Sequence, residues 1–172
     1  MLQEKWKRRL KHWGKELLLM AVMILIVSNL LSLLRAPELQ DKHLPEISTI
    51  LSNSELFSTQ DFENKPVLIH FWASWCPTCK LEAANIQKIS EDYQVLTIAV
   101  KSGNDEEINT YLKNNNLNYK VINDEKGILA QDFSVQAYPT SFIYNKDNLL
   151  SFTEVGYTST WGLRLRMWWA SL

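Results

Sequence analysis

The chain has 172 residues, 46% of them hydrophobic and 11% aromatic, with a formal net charge of −1. That length gives room for one domain with a single core, and the composition excludes a disordered chain. The near-neutral charge gives no electrostatic reason to expect nucleic acid.

The charge is uneven along the chain. Residues 1–16 carry Lys5, Lys7, Arg8, Arg9, Lys11 and Lys15 against Glu4 and Glu16, a local +4 that leaves about −5 on the remainder. This basic head is followed at 17–34 by LLLMAVMILIVSNLLSLL, which has no charged residue. As a helix it would span roughly 27 Å, close to the hydrocarbon thickness of a bilayer. Ser28, Asn29 and Ser32 are tolerable there because a helix satisfies its own backbone. The positive-inside rule keeps the head cytoplasmic and exports everything after Arg35, with Trp6 and Trp13 suited to the inner interface. A cleaved signal peptide would have a shorter apolar run ending in a small-x-small site, which LLSLLRAPE does not offer. A buried core helix is the third reading, and the uncleaved anchor is the expectation. Residues 35–46, polar and carrying two prolines, read as a tether, and 47–172 as the folded domain.

ISTIL and ELFST, on either side of Asn53 and Ser54, predict a small hairpin. PVLIHFWA (66–73) is apolar without alternation, the pattern of a strand covered on both faces. A helical pattern follows, then a second apolar strand, VLTIAV (95–100), so the two strands should be parallel in a βαβ unit. DEEINTYLKNN (105–115) reads as a helix with Ile108, Tyr111 and Leu112 on one side, and YKVI (119–122) as a short strand. EKGILAQDF (125–133) reads as a short helix or turn. SFIYN and LLSFTEV form a hairpin around KDN, and TSTWGLRLRMWWA closes the chain as a helix. On this helix Trp161, Leu165 and Trp168 share a face expected to pack on the sheet, with Trp169 left outside. The expected class is α/β, a mixed sheet flanked by helices.

Between the first apolar strand and its helix lies FWASWCPTCK (71–80), with the only two cysteines, Cys76 and Cys79. A c-type haem site needs histidine after the second cysteine, where Lys80 stands. Structural zinc needs four ligands, and His12, His43 and His70 fall in head, tether and strand, so no metal is expected. A static staple closing so short a loop would constrain the unfolded chain little. A redox couple remains. Pro77 suits a first helical turn, which makes Cys76 the N-cap, where free N–H groups and the helix dipole favour a thiolate. Cys76 is therefore the expected attacking sulfur, and Cys79, one turn further in, the resolving one.

At 100° per residue Cys79, Glu82, Ala83, Ile86, Ile89 and Tyr93 share one side of that helix, opposite Lys80, Gln87, Lys88, Glu91 and Asp92. Glu82 is the anomaly. It is either a rim glutamate whose head reaches water or a desolvated carboxyl that accepts or returns the Cys79 proton, and the second reading is preferred. His70, in the strand beneath, is expected to hydrogen-bond a neighbour, although an imidazole can also tune a redox couple. Trp72 reads as core, and Trp75, beside Cys76, as apolar surface for a partner.

FWASWCPTC resembles the active-site motif of the thioredoxin superfamily, W-C-x-x-C at the start of a helix after a central strand. AYPTSFIYN (137–145) resembles that family's cis-proline segment, which makes Pro139 the cis residue, preceded by Tyr138. The apolar N-terminus together with PVLIHFWASWCPTCKLE is similar to the membrane-anchored TlpA/ResA/CcmG-like thiol–disulfide oxidoreductases. Those carry an extra N-terminal hairpin, a mid-domain insert and a glutamate where Glu82 stands. VGYTSTWGLRLRMWW further resembles the suppressor-of-copper-sensitivity D group.

These resemblances imply a thioredoxin-like fold and a catalytic set of Cys76, Cys79 and Glu82. Trp75, Tyr138 and Pro139 would align an extended client segment. They imply no organic cofactor, exported protein thiols or disulfides as partners, and a membrane electron donor of the DsbD kind. The site would lie in the periplasm of a bacterium, anchored at its inner membrane. His70 departs from the aspartate of ordinary thioredoxins and the asparagine common in the TlpA-like group, and Tyr138 is bulkier than usual before the proline. AYPTSF lacks the acidic segment of the cytochrome c maturation members, which makes that client class the alternative. Copper(I) binding by the dithiol and a non-catalytic docking module are the rivals from other classes.

Overall fold

In the computed structural model the described residues are 13–20, 22–24, 26, 27, 30, 32, 36, 37, 39, 41–62 and 64–172. The chain divides into two compact units, residues 1–35 and residues 36–172. In the first, the described residues from 13 to 32 are helical. Most of the basic head, and positions 21, 25, 28, 29, 31, 33 and 34 of the expected anchor, lie outside the described residues. Among the described residues no helix is long and apolar enough to cross a membrane.

The second unit is built on a five-stranded sheet. Its strands are β3 (Val67–Trp72), β4 (Gln94–Val100), β5 (Lys120–Asp124), β6 (Thr140–Tyr144) and β7 (Leu150–Val155), in the order β5-β4-β3-β6-β7. The expected hairpin is β1 (Ser48–Ile50) paired antiparallel with β2 (Leu56–Ser58). β3 runs parallel to β4 and antiparallel to β6, so the sheet is mixed and β3 is central. All six β3 residues are buried. Leu68 and Trp72 enter one core, while Val67, Ile69 and Phe71 enter the other. This is why the β3 sequence shows no polar alternation.

Four helices complete the unit: α1 (Pro77–Ser90), α2 (Asp105–Asn114), α3 (Ile128–Asp132) and α4 (Thr160–Ala170). α1 buries Cys79, Glu82, Ala83, Ile86 and Ile89, the stripe that its periodicity predicts. α2 starts with a capping box between Asn104 and Glu107 and buries Ile108 and Leu112. Leu163, Met167 and Ala170 of α4 join the same core as the α1 stripe.

The rotation of α4 corrects the sequence reading. Trp161, Leu165 and Trp168 do not pack on the sheet: Trp161 is 83% exposed, and the other two are exposed with Trp169. The buried stripe is Leu163, Met167 and Ala170. Both stripes have helical spacing, so periodicity alone does not choose between them. Polar anchors do. The Thr158 N–H bonds Glu82, the Asn85 amide bonds the Thr158 carbonyl and the Thr160 hydroxyl, and Arg166 pairs with Glu154. Those bonds turn the tryptophans outward.

Two further backbone contacts matter. The Ser52 N–H bonds the Val121 carbonyl on β5. Near the start of β7, Leu44 N–H bonds Asn148 O, Leu150 N–H bonds Lys42 O, and His43 bridges Leu149.

Candidate active site

Cys76 lies where β3 gives way to α1. Its φ of −84° and ψ of 116° are extended, and Pro77 opens the helix behind it, so Cys76 is the N-cap. Its Sγ accepts the Cys79 N–H at 3.2 Å. Its thiol also donates to the Tyr138 carbonyl at 3.6 Å, a contact from across the cis-proline segment. Both cysteines are free thiols. The Tyr138–Pro139 peptide bond is cis, as the resemblance implies.

Cys79 is buried one turn into the helix. Burial pushes its thiol well above the ordinary range, and its hydrogen bond with Cys76 and the negative charges at Cys76 and Glu82 push the same way. The two sulfurs are therefore unequal: one caps a helix, and the other is held protonated.

Glu82 is fully buried, which excludes the rim reading. Its Oε1 accepts the Thr158 N–H at 2.9 Å, and among the described residues its buried Oε2 has no hydrogen-bond partner. Burial raises its pKa to about 8; the Thr158 bond opposes the rise and the charge on Glu154 adds to it. Glu154 is in turn held by Arg166 of α4, Oε1 to Nε at 2.5 Å, in a largely buried pair. Sequence reasoning missed Glu154, Arg166 and Thr158. The last acts through its backbone N–H, which no side-chain pattern signals. The other two depend on the rotation of α4, which the sequence pattern does not fix.

His70 is a satisfied strand histidine. It stands opposite Ser141 on β6, its Nδ1 lies 2.9 Å from the Ser141 hydroxyl, and burial lowers its pKa to about 3. Trp72 is core as expected, its indole N–H donating to Thr97 Oγ1 at 3.1 Å. Trp75 is 57% exposed. Its indole N–H donates to the Lys101 carbonyl, and its ring meets Tyr138 edge-on with centroids 5.8 Å apart. The structure thus gathers Trp75, Tyr138 and Pro139 beside Cys76, and Glu82 in the core behind Cys79. Among the described residues no group of three or more His, Cys, Asp or Glu is arranged to hold a metal ion.

Comparison with known proteins agrees with this geometry. The Redoxin family matches residues 39–161. A thioredoxin-like protein of Haemophilus influenzae is 29% identical over 164 residues, covering 94% of this chain and 97% of its own. The sporulation thiol-disulfide oxidoreductase A of Bacillus subtilis is 28% identical over 101 residues, covering 55% of this chain and 61% of its own. In structure, a secreted thiol-disulfide isomerase from Corynebacterium glutamicum superposes with a TM-score of 0.68 at 22% identity, covering 74% of this chain and 84% of its own. With a dithiol at a helix start, a cis-proline opposite it and a family match over more than two thirds of its length, the chain belongs to the Redoxin family and is a thiol–disulfide oxidoreductase of thioredoxin-like fold.

Proposed function

We propose that this chain is a membrane-tethered enzyme that exchanges disulfides with exported proteins at the outer face of a bacterial inner membrane, with Cys76 attacking, Cys79 resolving and Glu82 relaying the proton. The observation that carries the reading is the asymmetry of the two sulfurs. The Cys76 Sγ already receives a backbone N–H from its helix, while Cys79 is buried beside a carboxyl with a free oxygen.

Starting from the dithiol, the Cys76 thiolate attacks one sulfur of a client disulfide, and the other client sulfur leaves as a thiolate that solvent protonates. Cys79 then attacks Cys76 Sγ and gives its proton to Glu82. The captured client sulfur departs as a thiolate that solvent protonates, while Glu82 returns its proton to solvent. The client has gained two electrons and two protons, and the enzyme holds a Cys76–Cys79 disulfide. A carboxyl titrating at about 8 serves either direction near neutral pH, since it is ionised often enough to accept a proton and protonated often enough to return one. Pro139, Tyr138 and Trp75 align the client segment. The chemistry needs no metal or organic cofactor.

The tether reading rests on residues 17–34. Leu17, Leu18, Leu19 and Met20 are consecutive and all exposed, so the apolar surface runs around the helix rather than along one face. A surface of that kind suits lipid. The secreted Corynebacterium relative supports a site of action outside the cytoplasm. A membrane thiol–disulfide transporter of the DsbD kind is the proposed electron source, and tolerance of copper stress the proposed setting. Apocytochromes are the second choice of client, because AYPTSF lacks the acidic segment around the cis-proline that the resemblance to the maturation enzymes would imply.

A Cys79→Ser variant tests the reading, because without the resolving thiol each captured client stays on Cys76. Expressed in a bacterial host, it is expected to accumulate mixed disulfides with exported proteins, dissolved by reductant and missing from Cys76→Ser. A variant that traps no exported protein would sink the proposal. Tight stoichiometric copper(I) in equilibrium dialysis, without disulfide exchange, would put the metal-binding reading in its place.

A further inference from the structure

Beside the cysteines lies a cleft of about 440 Å³ that no step above uses. Its walls come from the end of β4, the turn before α3, α3 itself and the segment leading into Pro139, with Tyr138 in the lining. Tyr138 therefore belongs to two places at once: its carbonyl receives the Cys76 thiol, and it lines the cleft. A client segment laid along the cis-proline would pass over the opening.

The cleft has a definite chemistry. Lys101 and Lys126 line it, together with the polar side chains of Gln131, Ser134 and Gln136, and no lining residue is acidic. Among the described residues neither ammonium group has an ion-pair or hydrogen-bond partner. Asp124 is buried, accepts the Ala130 N–H at 2.9 Å and does not line the cleft.

The placement of Lys101 is specific. Its φ of 47° lies in the left-handed region, where glycine or asparagine would be easier to hold. Its backbone is fixed from both sides, the N–H on the Asp124 carbonyl and the carbonyl under the Trp75 indole. Its stem then crosses Gly127, where a Cβ would come within 3.0 Å of Lys101 Cε.

We infer that this cleft is a specificity subsite that takes an acidic side chain of the client, so that the enzyme favours cysteines flanked by Asp or Glu. The inference rests on the proposed exchange activity and names its substrate class. The attraction is between solvent-exposed charges. Two such pairs are worth about a three- to tenfold preference at low ionic strength, which salt weakens.

Two synthetic peptides with an internal disulfide, identical except for Glu or Gln at the two positions on each side of the attacked cysteine, test it with the full-length dithiol enzyme. The wild type is expected to reduce the Glu peptide with kcat/KM about three- to tenfold higher than the Gln peptide, with the ratio shrinking in 0.5 M salt. In the double variant Lys101→Gln/Lys126→Gln the ratio should fall to about one. A wild-type ratio of one or less, or a ratio that survives in the double variant, overturns the subsite and leaves the exchange activity standing. Failure to reduce either peptide overturns the activity itself and the subsite with it.

Discussion

Two buried ionisable groups serve the same face of the sheet under different rules. His70 lies in the central strand, and Glu82 lies on the helix packed above it. Burial drives each toward its neutral form, the imidazole down to about 3 and the carboxyl up to about 8. The outcomes differ because of where each value lands and what each group has left to offer. His70 stays neutral across the physiological range and has its Nδ1 engaged by Ser141. Glu82 titrates close to neutrality and keeps Oε2 open. Desolvation alone makes a group inert; desolvation that ends near the working pH, with a free lone pair, makes it useful.

The widest gap should appear in rate. Glu82→Gln is expected to slow the resolving step on the order of a hundredfold, and to remove an inflection near pH 8 from the profile of exchange rate against pH. His70→Asn should leave that inflection in place. A comparable loss of rate in both variants would erase the distinction.

Stability should divide the two groups by sign. The folded pKa of Glu82 lies above its ordinary 4.5, so the native state keeps a proton that the unfolded chain has lost. Its contribution is complete below about pH 4.5 and is lost as pH rises to about 8. The folded pKa of His70 lies below 6.5, so its contribution is complete above that value and is lost as pH falls toward about 3. Each window corresponds to roughly 4–5 kcal/mol at most. The slopes oppose one another between about pH 4.5 and 6.5 and should nearly cancel there in the wild type. Urea midpoints measured across pH should fall from pH 4.5 to 6.5 in His70→Asn and rise over the same interval in Glu82→Gln.

Smaller effects sharpen the contrast. Trp75→Ala removes the ring that meets Tyr138 and should raise the client KM roughly three- to tenfold without moving the inflection. Glu154→Gln should lower the inflection by less than about one pH unit, because burial outranks the neighbouring charge among the causes of the Glu82 shift. A larger drop would transfer the leading role to Glu154.

Much of this arrangement was legible before any coordinates. The apolar run of β3, the placement of Pro77 after Cys76 and the stripe of α1 each have one physical solution, and the cysteines and Glu82 fall where those patterns put them. The rotation of α4 was not legible, since two stripes of equal spacing compete and the choice is made by Thr158, Asn85 and Glu154 on other elements. The acidic neighbour of Glu82 was hidden for a related reason. Glu154 reaches the Glu82 environment through strand pairing some seventy residues downstream, and no local window contains both.

The backbone contacts at the sheet margins carry a last consequence. Ser52 occupies a carbonyl of outer strand β5, and residues 42–44 lie along the start of outer strand β7. Unsatisfied strand margins are templates on which extended chains stack. By laying its own N-terminal segments against both rims, the molecule occupies part of each outer strand and leaves less bare edge on which another chain could pair.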